Sequence, residues 1–122
     1  MFEVKVVSFF SGAHYLREYK GKCEAVHGHN WKVEVIAQTA KLNDQGLALD
    51  FKELKEMLNR VLDKLDHKNL NDIDFFKDHN PSSEYIAYFI YQELKGPVKD
   101  KGLELKEVVA WEQRDSAASY RE

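Results

Sequence analysis

Three of the five histidines in this 122-residue chain have the types and spacing that a metal ion asks for. His27-Gly28-His29 opens an alternating stretch, and side chains two apart on a strand leave the same face. Both imidazoles can therefore reach one ion. A third nitrogen must come from elsewhere, and His14, just after a first strand, is the obvious donor if the two strands pair. Three imidazoles with a fourth position open is a common catalytic zinc arrangement. The donor set favours zinc over calcium or magnesium. A lone histidine is more often a surface or hydrogen-bonded residue, so the spacing marks a candidate rather than a site.

Cys23 stands four residues before His27 and is the only cysteine, so no disulfide can form within the chain. As a fourth ligand it would close the site and make it structural. Left free near a cation it would be a ready thiolate, and buried it would be an inert hydrophobe. Asp66-His67 offers a carboxylate beside an imidazole that titrates near neutrality, a pairing suited to proton transfer. The plain alternative is a histidine cation at a helix C-terminus. Glu112 shares strand parity with Val108 and Ala110, and a carboxylate on an apolar face needs hydrogen-bond donors. A guanidine-like ligand would match its two oxygens, as would a neighbouring Arg114. Ser82, Ser83 and Glu84 suit a helix start equally well, and His79 reads as a surface residue.

The elements that must position these groups follow from periodicity. Residues 2–10 and 28–39 alternate as strands, and residues 103–113 and 117–121 close the chain in the same way. Asp50 reads as an N-cap with Glu53 as its capping-box partner. Apolar residues from Phe51 to Leu65 recur at helical intervals. A second helix is expected from Asn80-Pro81 to Gly96-Pro97. The order predicts one α+β domain over 1–122, a four-stranded antiparallel sheet with two helices on one face. Its open edges invite association with further copies.

Net charge is −3 without a basic run, which gives no reason to expect nucleic acid as a partner. No stretch approaches the ~18 apolar residues of a membrane span. The N-terminus alternates like a strand rather than a signal core, and the single thiol suits a cytoplasmic setting.

Taken in order, Phe10-Ser11-Gly12-Ala13-His14, Cys23-Glu24-Ala25-Val26-His27-Gly28-His29, Leu65-Asp66-His67-Lys68-Asn69-Leu70-Asn71, Pro81-Ser82-Ser83-Glu84 and Trp111-Glu112 resemble 6-pyruvoyltetrahydropterin synthases and their bacterial relatives. The resemblance covers essentially the whole chain. It implies zinc held by His14, His27 and His29, with Cys23 a catalytic residue outside the metal. It further implies Asp66 and His67 as a catalytic pair supplied across a subunit boundary. Glu112 matches the pterin anchor, and Ser82, Ser83 and Glu84 match a segment lining the pterin pocket. The family's tunnelling fold implies trimers that close a barrel and stack into homohexamers. The four-residue spacing from Cys23 to His27 is similar to the 6-carboxytetrahydropterin synthase branch of queuosine biosynthesis. Those enzymes are carbon–carbon lyases that convert 7,8-dihydroneopterin triphosphate to 6-carboxytetrahydropterin, acetaldehyde and triphosphate. The sister 6-pyruvoyltetrahydropterin synthase is the first alternative, and a non-catalytic zinc- or pterin-binding module the second.

Overall fold

The computed structural model describes residues 1–122. Two long strands, β1 (Phe2–His14) and β2 (His27–Thr39), form one antiparallel pair. Then come α1 (Phe51–Leu62), β3 (Lys68–Asn69), a 3-10 turn over Leu70–Asp72, and α2 (Asp74–Lys77). The chain ends with α3 (Ser83–Asp100), β4 (Glu104–Gln113) and β5 (Ser116–Tyr120). Strands lie in the order β3-β1-β2-β4-β5, and every pairing is antiparallel except that of β3 with β1.

The sheet therefore has five strands rather than the expected four, and three helices rather than two. β3 is a two-residue strand that pairs in parallel with Gly12 and Ala13. Lysine and asparagine carry no alternation to read, so nothing local announces it. α2 is only four residues long and likewise carries no helical period.

Alternation decides which face is buried. On β1 the even positions Val6, Ser8, Phe10, Gly12 and His14 turn inward, and on β2 the odd positions Trp31, Val33 and Val35 do so. α1 and α3 cover that face with Leu54, Leu58, Val61 and Leu62, and with Ile86, Ile90 and Leu94. Each such aliphatic side chain contributes about 1.5–3 kcal/mol when it leaves water. Gly12 is small for a reason: a Cβ there would lie 3.1 Å from the Phe10 ring and 3.5 Å from Leu70.

Helix ends differ from the reading in instructive ways. Asp50 caps α1, its carboxylate accepting from the Lys52 N–H at 2.9 Å. Glu53 does not close a capping box but pairs with Lys101 at 3.2 Å. α3 is capped by Ser82, whose hydroxyl accepts from the Tyr85 N–H at 3.2 Å, one residue beyond the expected proline start. It also runs through Gly96-Pro97 to Asp100. Pro97 forfeits one hydrogen bond in the last turns, while buried Val98 and Leu103 hold the segment against the core. Gly102, at φ 84, takes the left-handed position that ends the helix.

No helix is long and apolar enough to cross a membrane. Truncation of Leu94, which is fully buried in α3, tests the core directly. Leu94→Ala is expected to lower stability by about 3 kcal/mol, seen as a lower urea midpoint with an unchanged slope.

Candidate metal centre and active site

The β1–β2 register places His14 directly opposite His27, and Gly12 opposite His29. His14 is the last residue of β1 rather than a residue beyond it, so it continues the inward face of Phe10 and Gly12. One end of the hairpin thus carries three imidazoles on one face. A ligand nitrogen of each lies within 4.8 Å of the other two. Trp31 forms the floor, with its ring edge-on to His14 at 5.2 Å and to His29 at 5.5 Å.

Main-chain carbonyls fix which nitrogen faces the centre. His14 Nδ1 lies 2.7 Å from the Pro81 carbonyl, and His27 Nδ1 lies 2.9 Å from that of Ala25. Donation from Nδ1 leaves Nε2 of both rings as a lone-pair donor, the outer-shell arrangement that orients metal-binding histidines. The Nε2 atoms of His14 and His29 are buried and have no hydrogen-bond partner. Buried polar atoms left bare are costly, and a cation bound by all three rings would satisfy them. The residues fit a metal ion, and three nitrogens suit zinc.

Glu112 reaches this centre from β4. It is the unpaired residue of a bulge, since Trp111 pairs with Ala117 while Gln113 pairs with Ser116. Its Oε1 lies 3.2 Å from His14 Nε2 and 3.7 Å from His29 Nε2, without the alignment of a hydrogen bond. The parity with Val108 and Ala110 does bring the carboxylate to the histidine face. Burial is the main force lowering the His29 pKa, and the Glu112 charge opposes it. His29 therefore stays neutral at pH values where a free histidine would begin to take up a proton. Its contribution to stability is complete above about 6.5 and declines as pH falls toward the lower folded value.

Cys23 is exposed and lies outside the histidine cluster. It borders one surface depression with His27 and another with Arg17 and Asn80. Its segment, between β1 and β2, turns back at Tyr19–Lys22 with Glu18, Lys20 and Gly21 all at positive φ.

Asp66 and His67 do meet. His67 adopts φ 56, which swings its Nδ1 to 2.9 Å from Asp66 Oδ2. Both residues are anchored on Ser11 at the outer edge of β1. The Ser11 N–H donates to Asp66 Oδ1 at 2.9 Å, and the His67 N–H donates to the Ser11 carbonyl at 2.6 Å. The Ser11 N–H first, and the His67 side chain second, hold the Asp66 carboxyl below the usual aspartate range. The His67 side chain is 81% exposed. It borders a shallow depression together with His29, yet no hydrogen bond or ion pair joins the dyad to the trio.

Ser82 is the α3 cap, Ser83 and Glu84 form its first turn, and the adjoining Pro81 carbonyl touches His14. The helix-start reading of these residues holds, and it is Pro81, just before them, that contacts the trio. Sequence reasoning missed Asn71 and Asn80. Each side-chain amide pairs with both main-chain groups of one residue, Asn71 with Tyr15 and Asn80 with Arg17. The Asn71 that closes the Leu65–Asn71 segment was the available signal.

A family model described as 6-pyruvoyl tetrahydropterin synthase matches residues 3–122. The chain belongs to that family. It is 37% identical to an Archaeoglobus fulgidus protein named as a candidate 6-carboxy-5,6,7,8-tetrahydropterin synthase, covering 97% of this chain and 94% of that one. It is 42% identical over 88 residues to the 6-pyruvoyl tetrahydrobiopterin synthase of Dictyostelium discoideum, covering 70% of this chain and 65% of the relative. The solved Caenorhabditis elegans 6-pyruvoyl tetrahydropterin synthase superposes with a TM-score of 0.85 at 26% identity, covering 99% of this chain and 95% of that one. The α+β domain is thus the tunnelling fold of this family, and the chain is a pterin synthase.

The opposing influences on His29 can be read by NMR in the metal-free protein. Its titration midpoint is expected below 6.5, and Glu112→Gln is expected to lower it further by removing the charge that favours the cation.

Proposed function

We propose that the protein is a zinc-dependent 6-carboxytetrahydropterin synthase, a carbon–carbon lyase. In this reading it converts 7,8-dihydroneopterin triphosphate to 6-carboxytetrahydropterin, acetaldehyde and triphosphate in queuosine biosynthesis in the cytoplasm. The observation that carries the chemistry is the open trio, three convergent imidazoles with Cys23 beside but outside them. Zinc held by His14, His27 and His29 would supply Lewis acidity toward the oxygens of the substrate side chain.

The protein's own groups divide the remaining work. Glu112 accepts two N–H donors from the guanidine-like edge of the pterin and so sets the ring's distance from the trio. Pro81 to Glu84, adjoining His14, form a wall of that pocket. Cys23, as thiolate, takes a proton from the substrate side chain. His67 exchanges a second proton at Nε2, because Asp66 holds Nδ1 and thereby fixes the tautomer. The dyad's exposure and its separation from the trio support its use by a neighbouring subunit. That arrangement makes the active form a homo-oligomer, a hexamer built as a dimer of trimers.

The carboxy branch is favoured by the four-residue spacing of Cys23 and His27 and by the end-to-end match with the Archaeoglobus relative. The sister 6-pyruvoyl activity has one observation in its favour, the higher identity of the shorter Dictyostelium match. Product analysis separates them. Zinc-loaded protein given dihydroneopterin triphosphate is expected to release acetaldehyde, whereas a pyruvoyl product without acetaldehyde selects the sister reaction. Cys23→Ala is expected to keep its zinc while kcat falls by at least ~100-fold. His27→Ala is expected to lose the metal, measured by elemental analysis of the purified protein. Loss of zinc from Cys23→Ala would overturn the open site.

A further inference from the structure

The segment between His14 and His27 has a single two-residue bridge of its own, Tyr19 with Lys22, and yet it carries Cys23. Its placement comes from side chains that imitate strand edges. Asn71 Oδ1 accepts from the Tyr15 N–H at 3.0 Å, and Asn71 Nδ2 donates to the Tyr15 carbonyl at 2.9 Å. Asn80 does the same for Arg17, accepting at 2.9 Å and donating at 3.1 Å. A carboxamide holds one acceptor and one donor at the spacing of a peptide group, so two asparagines extend the outer edge of β1 past His14.

Leu16, between these two residues, turns its main-chain groups the other way. Its N–H donates to Glu24 Oε1 at 2.9 Å, and its carbonyl accepts from the Glu24 N–H at 3.0 Å. Glu24 is the neighbour of Cys23. The Arg17 guanidinium also donates to the Phe76 carbonyl, which ties the same stretch to α2. Hydrogen bonds therefore tie Tyr15, Leu16 and Arg17 to Asn71, Glu24 and Asn80, and the chain itself carries that fixation one residue on, from Glu24 to Cys23.

We propose that Asn80 and Asn71 are positioning residues that hold Cys23 at the histidine trio through the Leu16–Glu24 pairing. The idea rests on the catalytic role assigned above to Cys23. Asn80 is the better probe, because Asn71 is 5% exposed and its loss endangers folding. Its amide also borders the depression that contains Cys23.

The test compares full-length, zinc-loaded wild type with Asn80→Ala, Glu24→Ala and the double variant. Turnover of dihydroneopterin triphosphate, zinc content and alkylation of Cys23 by iodoacetamide at pH 7 are measured for each. Each single variant is expected to lose about 100-fold in kcat, the scale of an ångström-sized misplacement. KM should stay within about twofold and zinc content should not change. Alkylation of Cys23 is expected to slow by about tenfold as the thiol leaves the cation's neighbourhood. The double variant should be no worse than the weaker single, because both cuts free the same stretch. Additive losses, a raised KM at unchanged kcat, or alkylation within twofold of wild type would each overturn the proposal. If the wild type itself forms no product, the proposed activity fails, while alkylation and zinc content still decide the positioning role.

Discussion

The register of the β1–β2 hairpin, with His14 opposite His27, is the constraint on which the rest of the site depends. Strand alternation leaves no intermediate choice, since a slip of one residue would send every side chain of one strand to the other face. In the observed register the face that buries Phe10, Trp31 and Val33 is also the face that gathers the three imidazoles. Core packing and metal geometry are therefore selected together. The apolar face that stabilises the hairpin simultaneously strips water from His14 and His29, which lowers the His29 pKa and leaves two Nε2 atoms without a hydrogen bond.

Around that fixed end, neighbouring elements contribute one group each. β4 brings Glu112, at the bulge but on the face of Val108 and Ala110, and the entry to α3 brings the Pro81 carbonyl that orients His14. The connection after α1 brings the Asp66–His67 pair to Ser11 on the outer edge of β1. These three contributions differ in kind. Glu112 and Pro81 face the trio, whereas the dyad is held at the sheet edge and turned to solvent. Both main-chain groups of Ser11 are taken up by the dyad, so what this side of β1 turns outward is the His67 ring rather than a bare strand edge.

Much of this was legible because it depends on period. The parity of His27 with His29, and of Glu112 with Ala110, follows from alternation, and both side chains sit where that alternation sends them. The α1 face and its Asp50 cap were equally plain. What escaped depends on tertiary partners. His14 looked like a loop residue because Ser11 and Gly12 interrupt the alternation. The strand persists through it because β3 and the Asn71 amide supply the missing edge. β3 itself has no local signature, and α3 passes Pro97 because buried Val98 and Leu103 outweigh one lost hydrogen bond. The contact between Asp66 and His67 needed a left-handed backbone at His67, which no spacing rule announces.

In the proposed enzyme the trio binds zinc and Cys23 stays out of the coordination sphere. X-ray absorption at the zinc edge of the metal-loaded protein tests this most directly. A shell of nitrogen and oxygen at ~2.0–2.1 Å with imidazole outer scattering and no sulfur is expected. A zinc–sulfur contribution at ~2.3 Å would place Cys23 on the metal and contradict it.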